Sequence, residues 1–200
     1  HDDLTGFETA DMLIARKKQG IDVKIIVDNK VAGSNGAIAL KRMEDAGIEI
    51  LRHQDSDRSG DYWHVKLLMA DDEYAVVGGM NYGDQYSHKN PNGFKWRDTD
   101  VLYCGPAVTE TRKIFAGIWN DMVREKGLPF KSIDVNMQNA DFEGGQARIA
   151  PVFQNPPGTS SPILLSILKG MYGATRRINI ENSYYVAIPA VTQAILDARA

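Results

Sequence analysis

A histidine and a lysine separated by one residue, His64 and Lys66, are the side chains of this 200-residue sequence best suited to do chemistry. Successive side chains on a strand point to opposite faces, so a strand here would hold the imidazole and the ammonium on one side. Asn81 follows two adjacent glycines, Gly78 and Gly79, which leave room for a ligand to approach the backbone. Together these groups suit a bound phosphate.

The chemistry that this set suggests is attack on a phosphodiester. Histidine is substantially neutral near neutral pH and can attack phosphorus, which would be covalent catalysis. The lysine would bind phosphate oxygens as a point charge, and the amide would add a hydrogen bond that strengthens as charge moves onto those oxygens. The leaving alcohol also needs a proton from a second group, which this set does not supply.

A hairpin is the element predicted to position these groups. Residues 65–69 and 74–77 read as two strands around a turn that contains Asp71. If the turn centres near residue 72, the numbers of paired residues sum to about 144, and Lys66 faces Gly78. Asp71 is then structural, because it lies at the turn.

The remaining pattern predicts an α/β fold. Helices and strands alternate over the first 51 residues, which indicates a largely parallel sheet with helices on its faces. Pro106 follows Gly105 at the start of a long helix with one apolar face. The other predicted elements are helices at 10–17, 38–46, 163–172 and from 189, strands at 21–27, 48–51, 98–103 and 177–183, and a flexible loop at 33–36.

Three segments are predicted from composition and pattern. Residues 1–126 form a first repeat with the His-x-Lys motif, and residues 127–160, rich in Asn, Gln, Gly, Pro and Ser, form a connecting segment. Residues 161–200 begin a second repeat, since the apolar pattern of residues 10–18 recurs 182 positions later at 192–200. The opening His-Asp-Asp lacks an initiator Met, so we expect a fragment cut within the second repeat.

Composition excludes several classes of protein. With 43% hydrophobic and 24% charged residues, the chain is an ordinary globular protein and not a disordered, collagenous or coiled-coil one. A net charge of -3 disfavours a broadly basic nucleic-acid binder. The single cysteine, Cys104, excludes an internal disulfide and is expected in the core. No apolar run approaches the ~20 residues that span a bilayer.

A polar stretch before the motif, residues 52–61, looks superficially like a metal site. It contains His53, Asp55 and Asp57, but the glycine and final glutamate of a calcium loop are missing, so a solvated loop is expected. Three nearby aromatic residues are expected to be packing residues, with contact to a lipid or a base as the alternative: Tyr82, Tyr86 and Trp96.

Six residues taken together resemble the full His-x-Lys signature of the phospholipase D superfamily: His64, Lys66, Asp71, Gly78, Gly79 and Asn81. Residues 1 to 126 and 161 to 200 resemble its bacterial members of the cardiolipin synthase and phospholipase D type. The resemblance implies a phospholipase D-like α/β sandwich with a mixed, mostly parallel sheet flanked by helices. It also implies that two such motifs meet at one site without a metal or other cofactor. One histidine, His64, would form a phosphohistidine, and the histidine of the other half would act as acid and base.

Two further residues gain a role from the same resemblance. The stretch 96–101 is similar to a family segment whose first aspartate orients the catalytic histidine, which carries over to Asp98. A carboxylate on one ring nitrogen would fix the tautomer and stabilise the imidazolium. The stretch 182–185 resembles the strand end before the second motif, so Tyr184 is expected to line the site.

The implied function is hydrolysis or transfer of phospholipid phosphodiesters. Water as the acceptor would make a phospholipase and an alcohol would make a transferase, and the motif does not fix the acceptor. The expected partners are a phospholipid, a membrane surface reached through that substrate, and a second His-x-Lys half on the same longer chain or on a second subunit. The expected location is the bacterial cell envelope.

Two alternatives remain open. A superfamily nuclease, in which two identical chains each supply one histidine, would explain a single motif in 200 residues, although nucleic acid is the disfavoured partner. A non-catalytic half would bind without reacting. On either the lipid or the non-catalytic hypothesis, this chain alone is expected to show little activity.

Overall fold

The computed structural model describes residues 1–53, 62–136, 145–154, 161–186 and 188–199. They fall into two compact units, His1–Ile149 and Ala150–Ala200. The first unit holds α1 (Leu4–Lys18), β1 (Lys24–Asp28), α2 (Asn29–Asn35), α3 (Ala37–Asp45), β2 (Glu49–His53), β3 (Leu67–Ala70), β4 (Tyr74–Gly78), α4 (Asp84–Ser87), β5 (Asp100–Cys104) and α5 (Pro106–Lys126). The second unit holds α6 (Pro162–Tyr172) and α7 (Pro189–Arg199).

Two carboxylates near the start of the chain accept hydrogen bonds from the first turns of α1 and α3. The Asp3 side chain accepts a hydrogen bond from the Gly6 N–H at 2.9 Å and so caps α1. The α3 cap position is a glycine, and Asp2 accepts hydrogen bonds from the N–H groups of Ile38 at 3.0 Å and Ala39 at 2.8 Å instead. With their first turns satisfied, α1 and α3 pack on the parallel strands. The buried residues of this cluster are Ala10, Ala39, Leu40, Met43, Ile48 and Ile50.

Strands β1 and β2 form a parallel pair whose register runs from Lys24 beside Glu49 to Asp28 beside His53. The first of these pairs is joined by an ion pair of 2.8 Å between Lys24 Nζ and Glu49 Oε2. Because parallel strands end at the same edge of a sheet, the last pair places Asp28 and His53 side by side where new chain segments leave the sheet.

Strands β3, β4 and β5 form a separate antiparallel sheet in that order. Leu67 pairs with Val77, so paired numbers sum to 144 and the predicted hairpin register is confirmed. Asp71 and Asp72 both adopt the left-handed conformation, with φ of 52° and 59°, in the turn between the strands. The Asp72 carboxylate also ion-pairs with Arg112 Nε at 2.7 Å, which ties the turn to α5.

Helix α5 begins at Pro106 as predicted and covers a second apolar cluster of Leu51, Trp119, Met122 and Val123. Residues 128–133 continue this cluster although they lie in the predicted connecting segment. The Trp119 indole Nε1–H donates to the Lys131 carbonyl oxygen at 2.9 Å, and the Asn120 side chain makes two 2.8 Å hydrogen bonds to the Ile133 backbone. The predicted limits of the two repeats stay a prediction.

The second unit is built on α6 and α7, which pack through Met171, Val191 and Ala194. Helix α6 begins at Pro162, directly before the predicted range 163–172, and α7 begins at Pro189 as predicted. The strand predicted at 177–183 is wrong, since the described residues of this stretch contain no strand. A strand needs a neighbour to satisfy its backbone, and the described part of this unit offers only helices.

The α/β class is confirmed, with small sheets flanked by helices. The balance of pairings differs from the predicted mostly parallel sheet: in the described residues only β1 and β2 pair in parallel, whereas two pairings are antiparallel. The physical reason is the connection between β3 and β4, which contains only residues 71–73 and can join only antiparallel neighbours.

Two loop predictions are also wrong. The predicted flexible loop at 33–36 overlaps α2, because the Asp28 carboxylate caps that helix by accepting from the Val31 N–H at 2.8 Å. The predicted solvated loop begins later than residue 52, since β2 extends to His53, which is only 7% exposed. Asp55 and Asp57 lie outside the described residues, and Cys104 is the half-buried last residue of β5.

No helix in the described ranges is both long enough and apolar enough to cross a bilayer.

Candidate functional site around His64

The motif histidine lies just outside the sheet. His64 belongs to the irregular segment 62–66, and β3 begins only at Leu67, so the prediction of a strand from residue 65 is wrong at this end. The Gly78 N–H still donates to the Lys66 carbonyl oxygen at 3.4 Å, which extends the hairpin pairing by one residue. Within the described ranges, the exposed His64 imidazole makes no hydrogen bond. A ligand can therefore reach its ring nitrogens.

The edge of the parallel pair holds the segment that carries His64. The Trp63 N–H donates to Asp28 Oδ2 at 2.8 Å. The Trp63 ring lies 5.1 Å from the His53 ring, centroid to centroid, at an angle of 45°. One residue earlier, the Tyr62 ring lies 5.5 Å below Lys30 Nζ, a cation–π distance. The backbone beside His64 is thus attached to the ends of both parallel strands.

The Lys66 ammonium turns back toward its own segment and is half-buried. Its Nζ donates to the His64 carbonyl oxygen at 3.0 Å, so the ammonium stays beside the residue that carries the imidazole. Burial lowers the pKa of Lys66 below its usual value, while the negative charges of Asp98 and Asp28 act in the opposite direction. Lys66 is therefore a cation in partly desolvated surroundings, where an additional anion would stabilise it.

Two carboxylates occupy the space beside the motif glycines. A Cβ atom on Gly79 would lie 2.5 Å from Asp98 Oδ1, and one on Gly78 would overlap the Asp100 carboxylate. Asp100 Oδ1 also accepts from the Met80 N–H at 3.3 Å. The two glycines predict open space for a ligand, but in the structure the side chains on and before β5 fill it. A side chain at either position would have to displace a carboxylate, and at Gly78 it would also meet the Asp100 Cα at 2.7 Å.

In the structure, the Asp98 carboxylate acts electrostatically on the lysine of the motif. Asp98 Oδ1 accepts from the Thr99 N–H at 2.8 Å, and the charge of the carboxylate acts on Lys66. No hydrogen bond joins Asp98 to the His64 imidazole in the described part of the chain. The role of Asp98 in orienting His64 stays a prediction.

Asn81 is held by an aromatic neighbour. Its Nδ2 donates to the Tyr86 hydroxyl at 2.8 Å, and the Tyr86 ring packs edge-on against Trp96 at 5.2 Å. Tyr86 and Trp96 therefore pack against each other, while Trp96 keeps 51% of its surface exposed. The bond uses one of the two amide N–H groups of Asn81, so the other can still donate to a ligand. The predicted convergence of Asn81 with His64 and Lys66 on one anion stays a prediction.

The remaining predicted site residue, Tyr184, lies in the second unit. Its side chain is 86% exposed, and its N–H donates to Asn182 Oδ1 at 3.1 Å. Its predicted place at the site stays a prediction.

Sequence reasoning missed Asp28, Trp63 and Asp100, which the structure brings to the motif. A signal for the first was available, because Asp28 is the last residue of a strand expected to be parallel, and such strand ends carry ligands and positioning groups. Asp100 had a weaker signal, since it follows Asp98 by two residues and so shares its side of an extended chain.

The described residues contain no group of three or more His, Cys, Asp or Glu side chains placed to hold a metal ion. The structure brings the Lys66 ammonium to the His64 backbone, where the charges of Asp98 and Asp28 also act on it. Such a set can bind an anion at the lysine, and the exposed His64 imidazole lies on the same segment.

Comparison with known proteins supports the resemblance that the motif indicates. Residues 4–119 match the family described as cardiolipin synthase, PLD-like domain. The chain is 27% identical over 205 residues to cardiolipin synthase A of Pseudomonas fluorescens, covering 98% of this chain and 40% of that protein. It is 29% identical over 155 residues to cardiolipin synthase 2 of Bacillus cereus, covering 74% of this chain and 30% of the relative. The chain thus spans well under half the length of these curated relatives.

Proposed function

Since the chain belongs to the cardiolipin synthase, PLD-like domain family, we propose that it supplies one half of a site that cleaves or transfers phospholipid phosphodiesters through a phosphohistidine on His64. One observation carries the proposal: an accessible imidazole and a half-buried ammonium lie on the same short segment, with Lys66 Nζ 3.0 Å from the His64 carbonyl oxygen. The backbone of that segment is held through Trp63, by its N–H at the end of β1 and by its ring against His53 of β2.

The proposed reaction has two displacement steps. In the first, a His64 ring nitrogen attacks phosphorus, a P–N bond forms, and the P–O bond to the leaving alcohol breaks. A second acid protonates the departing oxygen. In the second step, water or an alcohol loses a proton to the same group and attacks phosphorus, and the P–N bond breaks to restore the imidazole. The Lys66 ammonium, with Asn81, would hold the phosphate oxygens throughout.

The proposal assigns the second acid to another half of the site. The relatives named cardiolipin synthase are more than twice the length covered here, since the chain spans 40% of the first of them. We infer that a second His-x-Lys half, on the same longer chain or on another subunit, supplies the acid and base. This chain alone is then expected to form the covalent intermediate slowly and to turn over little.

An activated substrate tests the nucleophile apart from the missing acid. Nitrophenolate leaves without protonation, so bis(p-nitrophenyl) phosphate should release at most one nitrophenolate per chain in a burst, with the phosphoryl group left on His64 in the peptide map. Absence of both burst and label would contradict the role of His64. Sustained turnover by a chain that sediments as a monomer would contradict the half-site. A compact dimer that nicks DNA would replace the lipid with nucleic acid as substrate.

Removing the Lys66 charge is expected to weaken anion binding. Lys66→Met keeps the length of the side chain, and we expect about a tenfold or greater loss in affinity for diethyl phosphate, because charge-assisted hydrogen bonds contribute about 1.5–3 kcal/mol. Isothermal titration calorimetry measures it. Lys41→Met, at an exposed lysine on α3, is the matched control. Equal affinity in the two variants would contradict the role of Lys66.

The same binding should depend on pH in a defined direction. The protonated form of Lys66 binds the anion, and burial lowers the pKa of Lys66. The affinity of the wild-type chain should therefore be highest at low pH, where Lys66 is protonated, and fall as pH rises. The fall should occur at a lower pH than the pKa of an ordinary lysine would give. Diethyl phosphate keeps one charge over this range, so the change comes from the protein, and the part caused by the lysine should be absent in Lys66→Met.

The loop of residues 88–97, here called the basic aromatic loop, is the surface that we propose meets the lipid. It contains Lys89, Lys95 and Arg97 and no acidic residue, in a chain whose net charge is -3. Phe94 is 82% exposed and Trp96 is 51% exposed. Aromatic rings and basic side chains together favour the interface of an anionic bilayer.

Vesicle binding tests the basic aromatic loop. Lys95→Ala should weaken binding to phosphatidylglycerol-containing vesicles about fivefold, since each basic residue near an anionic surface contributes about 1 kcal/mol. Binding to pure phosphatidylcholine vesicles should change less, because that surface is neutral. Lys41→Ala removes a charge on α3 and serves as the control. If both variants lose the same affinity in co-sedimentation, the attraction is a property of the whole chain and not of this loop.

A further inference from the structure

We propose that Asp28 is a positioning residue for the segment that carries His64 and Lys66: one carboxylate joins the end of β1, the first turn of α2 and the backbone beside the motif. This inference rests on the function proposed for His64 and Lys66. It adds a residue that lies outside the His-x-Lys pattern and acts through other groups.

The geometry engages both oxygens of the Asp28 carboxylate. Oδ1 accepts from the Val31 N–H at 2.8 Å, which caps α2. Oδ2 accepts from the Trp63 N–H at 2.8 Å, across 35 residues of chain. A side chain with a single acceptor can satisfy one of these N–H groups but not both. The position of Trp63, and so of the next residue His64, is therefore linked to the α2 cap.

The neighbouring strand, β2, contacts Trp63 through the indole ring. Asp28 pairs with His53 in the parallel register, and the His53 ring lies 5.1 Å from the Trp63 ring. His53 is only 7% exposed, so its ring is a fixed surface. Trp63 is thus held by its backbone N–H at the end of β1 and by its indole at the end of β2. This arrangement explains how an irregular segment can present His64 in a defined place.

The charge of Asp28 has a second consequence at Lys66. Burial lowers the pKa of Lys66, and Asp28 and Asp98 are the two carboxylates whose charges oppose that effect. A neutral residue at position 28 would remove one of them, so a larger fraction of Lys66 would lose its proton. Asp28 therefore holds the motif backbone and also keeps its ammonium charged.

Two substitutions separate these effects in the 200-residue chain. Asp28→Ser keeps a good cap for α2 but loses the bond to Trp63 and the charge. Asp28→Glu keeps the charge, but its side chain is longer and does not place the carboxylate between the two N–H groups. We expect the Trp63 amide to exchange at least about tenfold faster in both variants, because a protecting hydrogen bond is lost.

The reactivity of Lys66 should distinguish the variants. Acetylation by acetic anhydride at fixed pH, followed by peptide mass spectrometry, reports the unprotonated fraction. The rate at Lys66 should rise about twofold or more in Asp28→Ser and stay near the wild-type rate in Asp28→Glu, since only the former removes the charge. A purely structural role for Asp28 would not produce this difference between the two variants.

Asp2→Asn is the matched control, because Asp2 is another carboxylate that accepts from two backbone N–H groups, those of Ile38 and Ala39. This variant should lose stability while Trp63 exchange and Lys66 acetylation stay unchanged. Unchanged Trp63 exchange in both Asp28 variants, or equal Lys66 reactivity in them, would overturn the inference. Neither readout uses a substrate, so the inference can fail while the nitrophenolate burst is intact, and the reverse also holds.

Discussion

His64→Ala is expected to abolish covalent phosphoryl labelling and to lower turnover in an assembly with a second His-x-Lys half by at least about a thousandfold, because alanine offers no atom that can attack phosphorus. The loss should appear in the rate of the chemical step, since the proposed phosphate ligands Lys66 and Asn81 remain. The imidazole is exposed and makes no hydrogen bond to other described residues, so its removal should leave the fold intact. Few substitutions at an accessible residue would have so large an effect.

The measurement is radiolabelled phosphate retained on the denatured chain after reaction with a labelled phosphodiester. His1→Ala is the matched control, because His1 is also an exposed histidine and the substitution is the same. The control should keep its label. Undiminished label in His64→Ala would assign the nucleophile to another residue, whereas loss of label in both variants would point to a general disturbance of the surface.

Trp119→Ala is expected to lower the free energy of unfolding of the first unit by about 3–5 kcal/mol, the usual cost of removing a large aromatic residue from a core. Trp119 is fully buried at 0% exposure and stacks between Phe115 at 6.2 Å and Phe130 at 5.7 Å. Its loss would also leave the Lys131 carbonyl oxygen without the indole donor. Domains are stable by only about 5–15 kcal/mol, so much of the first unit's stability would be lost.

Urea denaturation followed by far-UV circular dichroism measures this change. Phe94→Ala removes an aromatic side chain that is 82% exposed, and it should change the free energy of unfolding by no more than about 0.5 kcal/mol. A cost below about 1.5 kcal/mol for Trp119→Ala would mean that residues 128–133 do not seal this core as the structure describes. That result would weaken the account of the fold without touching the proposal for His64.

Local patterns in the chain predict a large part of this structure. The hairpin register follows from the position of a short turn, and Leu67 pairs with Val77 as a sum of 144 requires. Helices begin at Pro106, Pro162 and Pro189 because the first turn of a helix does not need the N–H that proline lacks, and the fixed φ of proline suits a helix start. The family expected from the motif is confirmed, because six fixed positions over 18 residues form a specific pattern.

The strand prediction that failed depends on a distant partner. A strand at 177–183 needs a neighbouring strand, and the described part of the second unit has none. The error at 33–36 has a local cause instead, because the Asp28 carboxylate caps α2 from three residues before Val31. Periodicity within a window of ten residues contains no information on which backbone group from elsewhere will satisfy a donor.

For the site itself, the sequence alone determined which chemical groups are present and their order: an imidazole, an ammonium, two glycines and an amide. The tertiary structure decided which carboxylates lie beside them, because a carboxylate and a backbone N–H that are 35 or 20 residues apart meet only after the chain folds. It placed Asp28 on the backbone next to His64 and put Asp98 and Asp100 against the glycines. The physical reason is that the covalent sequence fixes the chemical type of each side chain, whereas the burial of that side chain and the electric field at it depend on neighbours that only folding brings close.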